Sequence, residues 1–239
     1  MDADSRGAGG YVLGHHAREL ARLDAQAAMI EPSTRLLLRA SGITAGMRVL
    51  DLGTGLGHVA RLIANLVGPD GSVVGLDRSG EVLEEARKRT ASNVRASFEQ
   101  GDVNTWRDDQ AFEAIVGRLL LFHVPDPVRV VRHHVANLRP GGRFVAIDYD
   151  IGSARCEPPI PLFAEAISWI CDAFAAAGAS PTIGARLGLI LEDAGLSDAT
   201  TLGVQGYLPP RSPDGPALIV VECEVRQMLA LADAVRAAG

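Results

Sequence analysis

The stretch Val49-Leu50-Asp51-Leu52-Gly53-Thr54-Gly55-Leu56-Gly57-His58-Val59-Ala60 constrains this chain more than any other. Met47 to Leu52 reads as a short strand buried on both faces, and three glycines at alternate positions turn the backbone into a helix from about His58 to Val67. Glycine lacks a Cβ, so such a loop reaches positive φ and admits a ligand close to the main chain. The amides of the helix start then face the space above the strand end. This is a nucleotide-binding corner. A dinucleotide fingerprint would read G-x-G-x-x-G, but the place of its third glycine is taken by His58, with Gly57 one residue early.

The residues that follow suit a nucleoside ligand. Gly71 to Asp77 reads as a second buried strand that ends in an acid, with Arg78 beside it. A carboxylate at that tip, roughly 20 residues past the glycine loop, can accept hydrogen bonds from both hydroxyls of an adenosine ribose. Asp77 can also cap the helix from Ser79 to Thr90, and the two roles are compatible. Net charge is −6 with arginines scattered, which argues against nucleic acid as a substrate. Cys156, Cys171 and Cys223 are odd in number and lack a C-x-x-C pattern, so neither a disulfide framework nor a zinc site is expected, and each reads as a small core residue. No apolar run approaches the about 18 residues needed to span a bilayer. A cytoplasmic protein that does not act at a membrane is expected.

With its acid two residues before the first glycine, Asp51-Leu52-Gly53-Thr54-Gly55-Leu56-Gly57 resembles motif I of the class I S-adenosylmethionine (SAM)-dependent methyltransferases. The resemblance implies an α/β, Rossmann-like, doubly wound and mostly parallel sheet, with N-terminal helices and an inserted helical lid. It implies SAM as cofactor and S-adenosylhomocysteine as product, held by Asp51, Gly53, Thr54, Gly55, Gly57, Asp77 and Arg78. After a third strand at Val94 to Gln100, it implies that Asp102 bonds the adenine amine and the Val103 amide a ring nitrogen. Trp106 either flanks the base or is a partly buried surface residue. After a fourth strand at Phe112 to Gly117, Arg118 and Pro125-Asp126-Pro127 have counterparts in small-molecule methyltransferases related to the ubiquinone and menaquinone biosynthesis enzymes. Arg118 is expected to pair with the SAM carboxylate or to hold a neighbouring acid. The turn Leu138-Arg139-Pro140-Gly141-Gly142 before a fifth strand at Arg143 to Tyr149 is also frequent in that family.

The acceptor side is less sharply written. Ligands in open α/β sheets lie beyond the carboxyl ends of the central strands. That placement makes His123, an imidazole taken to titrate near its ordinary pKa, the candidate base, with Asp148 and Tyr149 as further candidates. His133 and His134, adjacent on a helix from about Pro127 to Leu138, read as structural and as packed away from the cofactor.

Residues 1–42 are expected to form an N-terminal extension or lid and 43–239 the SAM-binding domain, with an acceptor-lid helix around 160–178. Met1 to Gly10 reads as mobile, followed by a helix from about His15 to Ile30 and a second short helix starting at Pro32. Tyr11 either closes over the methionine end of SAM or packs the first helix. Helices at Leu162 to Ala177 and Gly184 to Ala194 lead to a sixth strand around Ala199 to Gly206. A long helix from about Pro216 to Ala237 is favoured over a hairpin strand at Leu218 to Val221. The sheet edge is then open, covered by that helix or completed by another molecule, which leaves room for a homodimer. The expected activity is methyl transfer to N, O or activated carbon of a small molecule. A SAM-binding cyclase or regulator and an NAD(P)-dependent oxidoreductase stand as alternatives.

Overall fold

The computed structural model describes residues 17–90 and 95–206. Tyr11, the segment Met1 to Gly10 expected to be mobile, Cys223 and the C-terminal helix expected at Pro216 to Ala237 lie outside the described residues. Five strands, β1 (Arg48–Leu52), β2 (Ser72–Asp77), β3 (Ala96–Gln100), β4 (Phe112–Arg118) and β5 (Leu138–Ile147), form one parallel sheet in the order β3-β2-β1-β4-β5. The order reverses between β1 and β4, which makes the crevice above their carboxyl ends the switch point of a doubly wound fold.

The middle positions of the central strands are mostly apolar because helices cover both faces. Val49, Val73, Ala114 and Val116 point into a core shared with α2 (His58–Val67) and α3 (Gly80–Thr90). Leu50, Leu52, Val74, Leu76 and Ile115 point into a second core with α4 (Pro127–Val135) and α6 (Leu187–Asp193). Leu52 pairs with both Leu76 and Gly117. The residue after each of these, Gly53 just past β1 and Asp77 and Arg118 closing β2 and β4, therefore stands at one level at the carboxyl end of the sheet. That register assembles the site.

Several boundaries differ from the sequence reading. The two expected N-terminal helices are one, α1 (Ala17–Ala40), with Pro32 inside it. A proline in a helix interior costs about 3 kcal/mol because it has no N–H to donate and crowds the preceding turn. Here Ser33 and Thr34 both donate their hydroxyls to the Ile30 carbonyl, at 2.9 and 2.8 Å. Tertiary ties hold the remainder in line: Leu38 and Thr34 are buried, and Arg143 donates to the Ser41 and Gly42 carbonyls at the helix end.

The fifth strand starts at Leu138 rather than Arg143, because the Arg-Pro-Gly-Gly turn is a bulge within it. Leu138 pairs with Phe112, and pairing resumes as Arg143 with Ala114. The strand ends at Ile147, leaving Asp148 and Tyr149 past the edge. α4 stops at Val135, three residues early, and the expected helix at Gly184 to Ala194 is a short turn, Ile183–Arg186, followed by α6. A helix is present where the acceptor lid is expected, α5 (Pro161–Ala176), with Pro161 in its first turn.

The sixth strand at Ala199 to Gly206 does not form. Leu202 and Val204 are exposed, and among the described residues the outer edge of β5 has no strand beside it. Cys156 and Cys171 are half-buried free thiols rather than core residues.

Candidate functional site

Two carboxylates, Asp51 and Asp77, and the glycine loop brace one another at the switch point. Asp51, almost fully buried, accepts the Thr54 hydroxyl at 2.6 Å and a further bond from the Ala60 amide. Burial pushes its carboxyl up to about 7, against the pull of Thr54 and the Arg118 charge. Asp51 is thus an internal brace of the loop. Asp77 accepts the Gly55 amide on Oδ2 and the Ser79 amide on Oδ1, each at 3.0 Å, so it both anchors the loop and holds the turn into α3, whose Val82 amide is capped by the Ser79 hydroxyl. Gly55 has φ of 52°, and a Cβ built there would meet nothing within 4 Å. The loop therefore opens onto free space.

Arg118 ends β4 and is followed by Leu119, a non-glycine residue at φ of 53°. Such left-handed strain concentrates at sites where the chain must aim its backbone. The Arg118 guanidinium donates to the Thr34 hydroxyl at 3.2 Å, and among the described residues no carboxylate lies in ion-pair contact with it. Burial lowers its pKa despite the charges of Asp51, Tyr149 and Glu31. A desolvated cation facing a hydroxyl is a seat for an anionic ligand group.

Past β3, Asp102 folds back on Asn104, taking its amide and side-chain N–H on Oδ1 at 2.8 and 2.7 Å. Those bonds hold the Asp102 carboxyl below its usual range. The exposed Arg78 gives its carbonyl to Gln100 at 3.0 Å. His133 and His134, expected to pack away from the cofactor side, instead carry this loop from below. His133 bonds the Trp106 carbonyl at 2.9 Å, and buried His134 bonds the Val103 carbonyl at 2.8 Å. Asn137 donates to the other nitrogen of His134, so the ring proton sits on Nε2. Trp106 packs 6.3 Å from Phe112 and 6.4 Å from His134, which favours the packed reading of that residue.

On the opposite flank a short turn, Leu121–His123, follows β4. The Leu121 amide donates to Oδ2 of Asp148 at 3.1 Å, and the Phe122 amide also bonds this carboxyl. Its other oxygen, Oδ1, is enclosed with no hydrogen-bond partner among the described residues, and burial pushes the carboxyl up to about 7. Tyr149 is adjacent, its hydroxyl buried. His123 does not carry the near-ordinary imidazole expected of it. Water reaches one side of the ring, but the protein around the rest, with the charges of Arg78 and Arg22, pushes its pKa down to about 4. It is neutral at physiological pH and a weak proton acceptor there.

Two contributors carried no local signal. Thr34 meets Arg118 across 84 positions of sequence. Asp24 of α1 bonds His58 at 2.9 Å and also pairs with Arg89, tying the helix to the residue after the glycine loop and to α3. His58 was visible only as the residue replacing a third glycine.

A methyltransferase domain model matches residues 43–194, more than half of the chain. Trans-aconitate 2-methyltransferase of Methylobacterium radiotolerans is 32% identical over 167 residues, covering 70% of this chain and 60% of that protein. Demethylmenaquinone methyltransferase of Staphylococcus aureus is 27% identical over 128 residues, covering 53% and 51%. The chain spans between 27% and 60% of the length of the first curated relatives it matches. In shape it is similar to a SAM-dependent methyltransferase from Aquifex aeolicus, with a TM-score of 0.58 at 20% identity over 76% of this chain and 89% of the other, a likeness of fold.

Proposed function

The chain belongs to the methyltransferase domain family, and from that premise we propose that it binds SAM and methylates a small molecule at N, O or an activated carbon. The observation that supports this most is the shared level of Gly53, Asp77 and Arg118 at the carboxyl end of the sheet, beside the open space over Gly55. An acid for ribose hydroxyls, an unfilled glycine cradle and a half-buried cation with no carboxylate in ion-pair contact among the described residues fit the three polar regions of SAM. The relatives named for trans-aconitate and demethylmenaquinone support a small-molecule acceptor.

Asp77 would hold the ribose, the 102–103 segment the base, the Gly53–Gly57 loop the chain between them, and Arg118 the carboxylate, with Asp51 and Thr54 bracing the loop. When bound, SAM supplies an electrophilic methyl group on a sulfonium. The protein's task is then to orient the acceptor and exclude water. His123, Asp148 and Tyr149 would form the acceptor wall. With His123 pushed down to about 4 and Asp148 turned onto the backbone of residues 121–122, this wall suits positioning better than strong proton abstraction. The net charge of −6 supports action away from nucleic acid, and no helix among the described residues is long and apolar enough to cross a membrane. We place the enzyme in the cytoplasm, as a monomer or homodimer.

Calorimetry with SAM, S-adenosylhomocysteine and NAD tests the cofactor, and incubation with methyl-labelled SAM and a panel of carboxylates, phenols, amines and quinols tests transfer. Binding of NAD without SAM would overturn the proposal. Tight SAM binding with no transfer to any class would favour a regulator.

A further inference from the structure

The inserted helix α5 is held loosely. None of its residues is fully buried, and Leu162 and Trp169 are exposed. Phe174, in its last turn, packs against the second core. Its ring meets Phe122 edge-on, with centroids 5.0 Å apart and planes at 81°. Phe122 in turn meets the imidazole of His123 at 4.8 Å and 75°. The carbonyl of Phe122 also accepts the amide of Ser180, just past the turn at Gly178, at 2.9 Å. The short turn bearing His123 is thus pinned from β5 by the Asp148 carboxylate and from the inserted segment by a ring and an amide.

We propose that Phe174 is a positioning residue that sets, through Phe122, the orientation and water access of His123, so that the seating of α5 is transmitted to the acceptor side of the site. The assignment of that side rests on the methyltransferase reading above; the relay itself does not.

Edge-on aromatic contacts are directional, so a shift of Phe174 reorients Phe122 instead of leaving it in place. Phe122 has no second aromatic ring among the described residues to brace it apart from Phe174 and His123. Two charges that act on His123, Arg22 from α1 and Arg78 after β2, come from elements that α5 does not carry. Loosening α5 therefore changes the hydration of the imidazole while those charges stay in place.

The test is an NMR titration of the His123 imidazole in the full chain, for wild type, Phe174→Ala, Phe174→Leu and Phe174→Tyr, with SAM calorimetry and thermal unfolding alongside. Phe174→Ala is expected to raise the His123 midpoint by about one unit or more, toward the ordinary value near 6.5. Phe174→Leu, which fills most of the volume and guards against loss of fold, should move it in the same direction by less. Phe174→Tyr should keep the wild-type midpoint, and SAM affinity should be unchanged in all three. A folded Phe174→Ala or Phe174→Leu protein with lowered melting temperature but an unshifted His123 midpoint would make Phe174 a packing residue only and overturn the relay. Failure of the wild type to bind SAM would sink the methyltransferase reading while leaving the relay measurable.

Discussion

The Gly55 amide donates to Oδ2 of Asp77 at 3.0 Å, so the loop after β1 and the acid closing β2 hold each other in place. Asp77 has a second structural bond, to the Ser79 amide, on its other oxygen. Each carboxylate oxygen can accept a further hydrogen bond.

Asp77→Ala is expected to weaken SAM binding by at least about tenfold. Hydrogen bonds to a charged group contribute about 1.5–3 kcal/mol, and 1.4 kcal/mol is a factor of ten. The loop loses its anchor as well, so Asp77→Asn should be intermediate. Isothermal calorimetry with SAM measures both; unchanged affinity in a folded Asp77→Ala protein would remove Asp77 from the site.

Gly55→Val should abolish SAM binding and leave the protein folded. A side chain at φ of 52° costs about 1–2 kcal/mol, but nothing lies within 4 Å to clash with its Cβ. The added methyl groups fill the space assigned to the cofactor. Retained binding at near-normal affinity would place SAM elsewhere.

Arg118 should recognise the cofactor's carboxylate, with Thr34 holding it ready. Wild type is expected to prefer SAM to its decarboxylated analogue, and Arg118→Met to lose that preference. Thr34→Val keeps the shape but removes the hydroxyl that meets Arg118 and Ile30. A net bond of about 0.5–1.5 kcal/mol predicts a loss of affinity of about two- to tenfold. Equal discrimination by wild type and Arg118→Met would exclude this assignment.

Stability should depend on pH through two buried groups of opposite sense. His134 titrates at about 4 in the fold and at 6.5 ordinarily, so the unfolded chain binds the proton first. Its contribution is complete above 6.5 and is lost as pH falls toward 4. Asp51 is pushed up from 3.8 to about 7, so its contribution is greatest below 3.8 and is lost as pH rises through 7. Asp148, with the same direction, adds to that loss. Asp51→Asn keeps an acceptor for Thr54 and should gain stability relative to wild type as pH rises across this window. Urea midpoints at about pH 5 and about pH 8 check it; a difference that does not grow with pH would mean that Asp51 is not strained by burial.

What the sequence determined by itself is the cofactor corner. Asp51, the three glycines and the start of α2 are contiguous, and Asp77 follows at a spacing set by one helix and one turn. Alternating cores on the two faces of Leu50 and Val49 then follow from residue type and the period of a strand. These features are local, so propensity and periodicity reach them.

Only the tertiary structure decided the rest, because the deciding partners are far apart in the chain. Pro32 reads locally as a helix start, yet α1 runs through it because Asp24, Thr34 and the Gly42 carbonyl are tied to His58, Arg118 and Arg143. Residues 199–206 have the pattern of a strand but gain no partner along the β5 edge among the described residues. His123 was legible as a residue at the right strand end, but its proton affinity was not. Burial by surrounding chain and the charges of Arg78 and Arg22 set that value, and both arrive only when α1, β2 and β4 converge. Solvation and electrostatics depend on what stands within a few ångströms, and for residues dozens of positions apart the folded packing alone fixes that distance.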